Sequence, residues 1–198
     1  MVEFGIFLQD NLGEHNPEEV EELILDNLFS SLNQFSKEHK LVLSQYQNLF
    51  HLSLNNLKLS SLENFPSIPN LLILELKNNQ LTGKDFYIIP KSYPNLYKLK
   101  VSDNLIKSFE PFEFLRKIKL KKIEVYGNEF INTVDNYKIE LFNLLPELMV
   151  IDDYSKEGEL LNTTIYSEES YEENNEGEEI EEEEIDETFK AYEEEDDD

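Results

Sequence analysis

Five segments of the chain repeat one pattern of apolar and polar positions. They are "VEELILDN" from Val20, "LFHLSLNN" from Leu49, "LLILELKNN" from Leu71, "LYKLKVSDN" from Leu96 and "LKKIEVYGN" from Leu120. Apolar residues stand at the first, fourth and sixth positions. Alternation between the fourth and sixth predicts a short strand with one buried face. In the last three segments an Asn follows at the ninth position (Asn79, Asn104, Asn128), and an apolar residue comes two places later (Leu81, Ile106, Phe130). The second segment keeps the late apolar residue as Leu59 but has Leu57 where the Asn is expected.

Aligned on the sixth position, the segments fall at Leu25, Leu54, Leu76, Val101 and Val125, spaced by 29, 22, 25 and 24 residues. A strand, a turn and an apolar return at a period of about 20–29 residues is the pattern of a leucine-rich repeat. One such unit cannot bury its apolar face alone, so the units must stack. The prediction is an α/β fold: a right-handed leucine-rich-repeat solenoid with a parallel, concave β-sheet. Each repeat Asn is expected to hydrogen-bond backbone groups where the chain leaves the strand.

The ends of a solenoid need covers. Residues 2–12 place Phe4, Phe7 and Leu8 near helical spacing, and Asn16 with Pro17 reads as the start of a helical turn. At the other end "YKIELFNLLPELMVIDDY" (137–154) carries a helical stripe of Leu141, Leu144 and Leu145, stopped by Pro146; Leu148 and Ile151 then repeat the strand frame. "TGKDFYIIPKSYPNL" (82–96) is expected as a short irregular helix on the convex side, because Pro90 interrupts regular hydrogen bonding. The domain is therefore drawn as residues 1–155, followed by a low-complexity acidic tail, 156–198.

Charge sharpens that division. Of 198 residues with a net charge of -26, those up to Ile151 carry 20 acids and 15 bases. Those from Asp152 onward carry 23 acids and only Lys156 and Lys190 as bases. Low hydrophobicity with such charge predicts a tail that is mostly disordered. A run of carboxylates favours encounter with cation-rich proteins and disfavours direct nucleic-acid binding, which needs clustered Lys and Arg. With no cysteine, disulfides and thiolate sites are excluded. No apolar run approaches the ~18 residues of a membrane span, and the first residues show neither the basic start nor the small-residue cleavage site of a secretory signal.

Nothing in the sequence points to catalysis or to a cofactor. His15, His39 and His51 lie in different elements, and His51 beside Ser53 on one strand implies no third group. No glycine-rich phosphate loop is present, and "EEEEIDE" lacks the turn glycine and spacing of a calcium loop. The repeats instead define a binding face. The outward positions are Glu22, Ile24 and Asp26; His51, Ser53 and Asn55; Ile73, Glu75 and Lys77; Lys98, Lys100 and Ser102; Lys122, Glu124 and Tyr126; then Val150 and Asp152. Acid lies toward the first strand, and Lys77, Lys98, Lys100 and Lys122 gather in the middle.

The tail holds a second candidate. Ile185, Phe189 and Tyr192 are spaced by four and three, so on a helix they share one face, with Glu181, Glu182, Glu183, Glu184, Asp186 and Glu187 around them. That arrangement predicts apolar anchors set in acid. Tyr166 and Tyr171 form a weaker set, and Ser167, Ser170 and Thr188, each followed by acids, are candidate phosphorylation sites.

Four stretches together resemble the acidic leucine-rich nuclear phosphoprotein family: "VEELILDN" (20–27), "PNLLILELKNNQLTG" (69–83), "YPNLYKLKVSDNLIKSFEPFEFLRKIKLKKIEVYGNE" (93–129) and the cap "NYKIELFNLLPELMVIDDY" (136–154), with an acidic tail behind it. Tyr137-Lys138 stands where the family has Tyr-Arg, and Lys190 is the only base after Lys156, where family members carry a basic import cluster. The resemblance implies a non-enzymatic binding protein, nuclear and cytoplasmic with the nucleus favoured. It also implies core histones as first clients of a histone-chaperone activity. Inhibition of type 2A protein phosphatase, or an adaptor role in RNA processing or export, are the alternatives. A monomer without cofactor or metal is expected.

Overall fold

The computed structural model describes residues 3–13, 15–28 and 32–161. The chain divides after Leu161 into two compact units, of which only the first is described.

The repeated frame becomes a seven-stranded sheet in sequence order: β1 Glu22–Ile24, β2 His51–Ser53, β3 Ile73–Glu75, β4 Lys98–Lys100, β5 Lys122–Glu124, β6 Val150–Ile151 and β7 Tyr154–Ser155. The first six strands run parallel and β7 is antiparallel to β6. Fourth-position residues pair across the sheet as one row, Leu23, Leu52, Leu74, Leu99, Ile123 and Ile151. The sixth-position residues lie behind them, and all of these are at most 1% exposed. Each buried leucine contributes about 1.5–3 kcal/mol, so this row is the spine of the fold.

Short helical segments return the chain on the other side of the core. One 3-10 turn, Phe86–Ile88, runs into the single α-turn α3, Ile89–Ser92, with Pro90 near its start; this is the interrupted helix expected there. A longer 3-10 helix, Glu110–Lys117, lies in the next repeat. Phe86, Ile89, Phe112 and Leu115 are buried against the leucines, while Tyr87 and Phe114 face out.

The covers are present. Helix α1, Glu3–Leu12, buries Phe4 and Leu8. It packs on α2, Lys37–Leu43, a helix the apolar frame does not announce; it opens with a capping box in which Ser36 and His39 each accept the other's backbone N–H. Asn16 caps a 3-10 turn at Pro17–Glu19, as expected. The final cover is α4, Tyr137–Leu144. Phe142 joins Leu141 and Leu145 inside, whereas Leu144 is only partly buried. Hydrogen bonding continues past residue 155: the Ser155 N–H donates to the Glu159 carbonyl and the Leu161 N–H to the Asp153 carbonyl. No described helix is long and apolar enough to cross a membrane.

Candidate functional site

The sheet face is built by the odd positions of each strand, and the structure changes its expected character. The lysines do not stand as a free cationic cluster. The Lys100 ammonium is 2.8 Å from Glu75 and 3.8 Å from Glu124. Glu124 also lies 3.8 Å from Lys98 and 3.9 Å from Lys77. His51 sits 3.3 Å from Glu75 and 4.0 Å from Glu22. Lys122 is placed over the Tyr97 ring at 5.8 Å. A chain of alternating acidic and basic side chains thus crosses five strands.

Burial decides what each group does in this chain. Burial raises the cost of charge on Glu75, but hydrogen bonds from His51, Lys100 and Asn55 and the Lys100 charge outweigh it, holding its carboxyl far below the usual range. Burial likewise opposes the Lys100 charge, and Glu75 with Glu124 outweighs it, holding the ammonium above its ordinary pKa. For Glu124 burial wins and its pKa is raised, although three lysines surround it. Burial and the neighbouring Lys100 lower Lys98. A depressed carboxylate stabilises the fold above its unfolded pKa and loses that contribution as pH falls through the folded value. Glu75→Gln is therefore expected to cost about 1.5–3 kcal/mol near neutrality. The difference from wild type should shrink below pH 4.5, the ordinary value, in urea unfolding followed from neutral to acid pH.

Several expected face residues are buried on that face instead. Asn55 is 6% exposed and Ser53 and Ser102 are buried. The Asn55 amide donates to Asp26, Ser53 and Glu75, and its carbonyl oxygen accepts the Lys77 N–H. Short side chains at the strand exits are covered by their neighbours, so Asn55 offers nothing to a partner. Asp26 is also committed: its Oδ1 accepts from the Ser53 hydroxyl and the Asn55 N–H. This turns the Ser53 hydroxyl toward Asp26, away from the His51-Ser53 pairing the sequence invites. At the far end Asp152 accepts from the Val125 and Tyr126 N–H groups and from the Tyr137 hydroxyl. Asp26 and Asp152 therefore close the two ends of the sheet. Glu22, Ile24 and Tyr126 remain exposed, Val150 is half-buried, and Ile73 is buried.

The repeat asparagines sit as expected. Asn79 accepts from the Leu57 and Leu59 N–H groups and donates to the Leu54 and Leu76 carbonyls. Asn104 accepts from Leu81 and Asn128 from Ile106. Two further ladders escape the apolar frame. Asn48, Asn70 and Asn95, just before the first position, donate to the carbonyls of Glu18, Gln47 and Pro69 in the preceding repeat. At the eighth position Asn27, Asn56, Asn78, Asp103 and Gly127 all hold left-handed backbone, with φ from 52° to 72°. Asn, Asp and Gly are the residues that tolerate it, and their recurrence was the available signal.

No group of three or more His, Asp or Glu placed to hold a metal lies among the described residues. The tail candidates Ile185, Phe189, Tyr192, Glu181, Glu182, Glu183, Glu184, Asp186 and Glu187 lie outside the described residues, as do Tyr166, Tyr171, Ser167, Ser170 and Thr188.

Comparison with known proteins adds kinship. No family model matches the chain. An acidic leucine-rich nuclear phosphoprotein 32-related protein of Plasmodium falciparum is 38% identical over 171 residues, which is 84% of this chain. The chain spans 59% of that relative's length. Among solved structures, the Drosophila melanogaster SNF/U2A' complex contains a chain similar at 20% identity, with a TM-score of 0.49 over 65% of this chain and 74% of that one. An internalin of Listeria monocytogenes is similar at 13% identity, with a TM-score of 0.45 over 75% of this chain and 54% of that one.

Proposed function

The chain is a relative of the acidic leucine-rich nuclear phosphoproteins, and from that kinship we propose that it is a non-enzymatic, histone-chaperone-like binding protein of the nucleus. In this proposal its acidic tail captures basic proteins, core histones first, and the sheet face supplies a second contact. The observation that carries it is the segregation of charge: a nearly balanced repeat body is followed by a segment from Asp152 with 23 acids and two bases. Carboxylates in such density substitute for nucleic-acid phosphates around Lys and Arg. The sheet face supports the same partner class. Three of its four lysines, Lys77, Lys98 and Lys100, are paired with Glu75 and Glu124, which reduces their repulsion toward a cationic client, and exposed Glu22 adds acid at the β1 end.

Phe189 and Tyr192 act as anchors in this proposal. Burying an aromatic ring contributes about 1.5–3 kcal/mol, and that share is insensitive to salt, whereas exposed charge is screened beyond ~8 Å at physiological ionic strength. Calorimetric titration of core-histone dimers with the full chain and with the Phe189→Ala/Tyr192→Ala variant, each at low and physiological salt, tests it. The full chain is expected to bind under both conditions and the variant to lose roughly tenfold or more, most visibly at the higher salt. A full chain that does not bind at physiological salt rules the proposal out.

A further inference from the structure

The side of the solenoid away from the sheet carries a feature that capture of basic proteins leaves unused. Tyr87 and Phe114, from consecutive repeats, are 38% and 37% exposed. Their rings meet edge to face at 6.1 Å and 69°. Most exposed apolar side chains on a protein are scattered singly; two large rings in contact across a repeat boundary form a small patch instead.

Cations frame that patch on both sides. Lys91 lies over the Tyr87 ring at 5.1 Å. Lys117 follows Phe114 by three residues in the 3-10 helix Glu110–Lys117, and side chains three apart on a 3-10 helix eclipse one another. Lys117, like Phe114, is exposed. Neither lysine has an ion pair among the described residues, in contrast to Lys77, Lys98 and Lys100 of the sheet face. Charge here is available; the charge of those three is already used.

We propose that Lys91, Tyr87, Phe114 and Lys117 form a docking site for an acidic protein segment that carries one aromatic or branched aliphatic residue. The ring pair takes the apolar side chain, and the two lysines take carboxylates on either side of it. Charge complementarity selects the partner class. Nucleic acid has the same sign, but duplex DNA carries a charge every ~1.7 Å, whereas an extended acidic segment carries at most one every ~3.3 Å. On a chain of net charge -26 the denser polyanion is repelled more strongly. The protein would then hold a basic client and an acidic partner on separate surfaces.

Fluorescence anisotropy of a short labelled glutamate-rich peptide with one central phenylalanine, titrated with the full chain, tests this. A matching peptide with alanine for phenylalanine and a labelled short DNA duplex run alongside. Tyr87→Ala/Phe114→Ala is expected to raise Kd about tenfold, and Lys91→Glu/Lys117→Glu to raise it at least as much. Lys40→Glu, at an exposed position of α2, should leave it unchanged. All four replaced side chains are exposed or half-exposed, so the fold survives their loss, which circular dichroism verifies. The proposal is overturned if the phenylalanine peptide does not bind. It is equally overturned if the two double variants bind like wild type, or if the DNA duplex binds more tightly through the same residues.

Discussion

Asn79→Ala is expected to lower unfolding stability by about 3–5 kcal/mol, a large share of what a domain of this size has. The side chain is 6% exposed and serves five backbone groups, the Leu57 and Leu59 N–H groups and the Leu54, Leu76 and Lys77 carbonyls. Without it the Leu57 and Leu59 N–H groups and the Leu54 carbonyl lose their side-chain partner inside the fold, at about 1–3 kcal/mol each where no other partner is found. The Leu76 carbonyl keeps the Asn104 amide and adds little. Asn79 holds the turn of the second repeat as Asn104 and Asn128 hold the turns of the repeats before them, and it also accepts a second N–H, from Leu57. Urea unfolding should show a lower midpoint with an unchanged slope. A loss under about 1 kcal/mol would mean that leucine packing alone holds the turns. Exposed Asn78 provides a comparison: its amide donates to Asn56, and Asn78→Gly, which keeps the left-handed backbone, should cost far less.

Much of this fold was legible because the solenoid repeats its instructions. Leu23, Leu52, Leu74, Leu99 and Ile123 occupy one position in five segments, and the sheet pairs them in that order. Asn79, Asn104 and Asn128 were legible for the same reason. Helix α2 was not, because it belongs to no repeat; its cap pairs Ser36 with His39 rather than with the usual Glu or Gln. The sheet face was half legible. The alignment that finds the leucines also puts Glu75, Lys100 and Glu124 at one position in adjacent repeats, and they are register partners. Grouping the lysines by sign hid that alternation. Diagonal contacts such as Lys77 with Glu124 depend on side-chain direction across strands, which a linear pattern does not carry. The same is true of Asn55: its outward position in a period of two is real, but its neighbours close over it.

The convex ring pair was beyond reach for a related reason. Tyr87 and Phe114 are separated by a full repeat, and only the packing of the 3-10 turn Phe86–Ile88 and α3 on the 3-10 helix Glu110–Lys117 brings them together. Their flanking residues carry no shared motif. Physical adjacency on the irregular side of a solenoid comes from how each loop packs, and loop lengths differ between these repeats.

Ending the chain after Leu161 is expected to have the largest effect on partner capture. The hydrogen-bonded body reaches Leu161, so this truncation spares every described element while removing Phe189, Tyr192 and most of the acid. What remains is a sheet face on which Lys77, Lys98 and Lys100 are paired with Glu75 and Glu124, with little to hold a basic client. Titration of core-histone dimers at physiological salt with the full chain and with the chain ending at Leu161 is the most direct test. The account predicts a loss of affinity of about 100-fold or more on truncation, with circular dichroism unchanged over the repeats. Equal affinity of the two chains would contradict it and would move the binding site onto the repeat body.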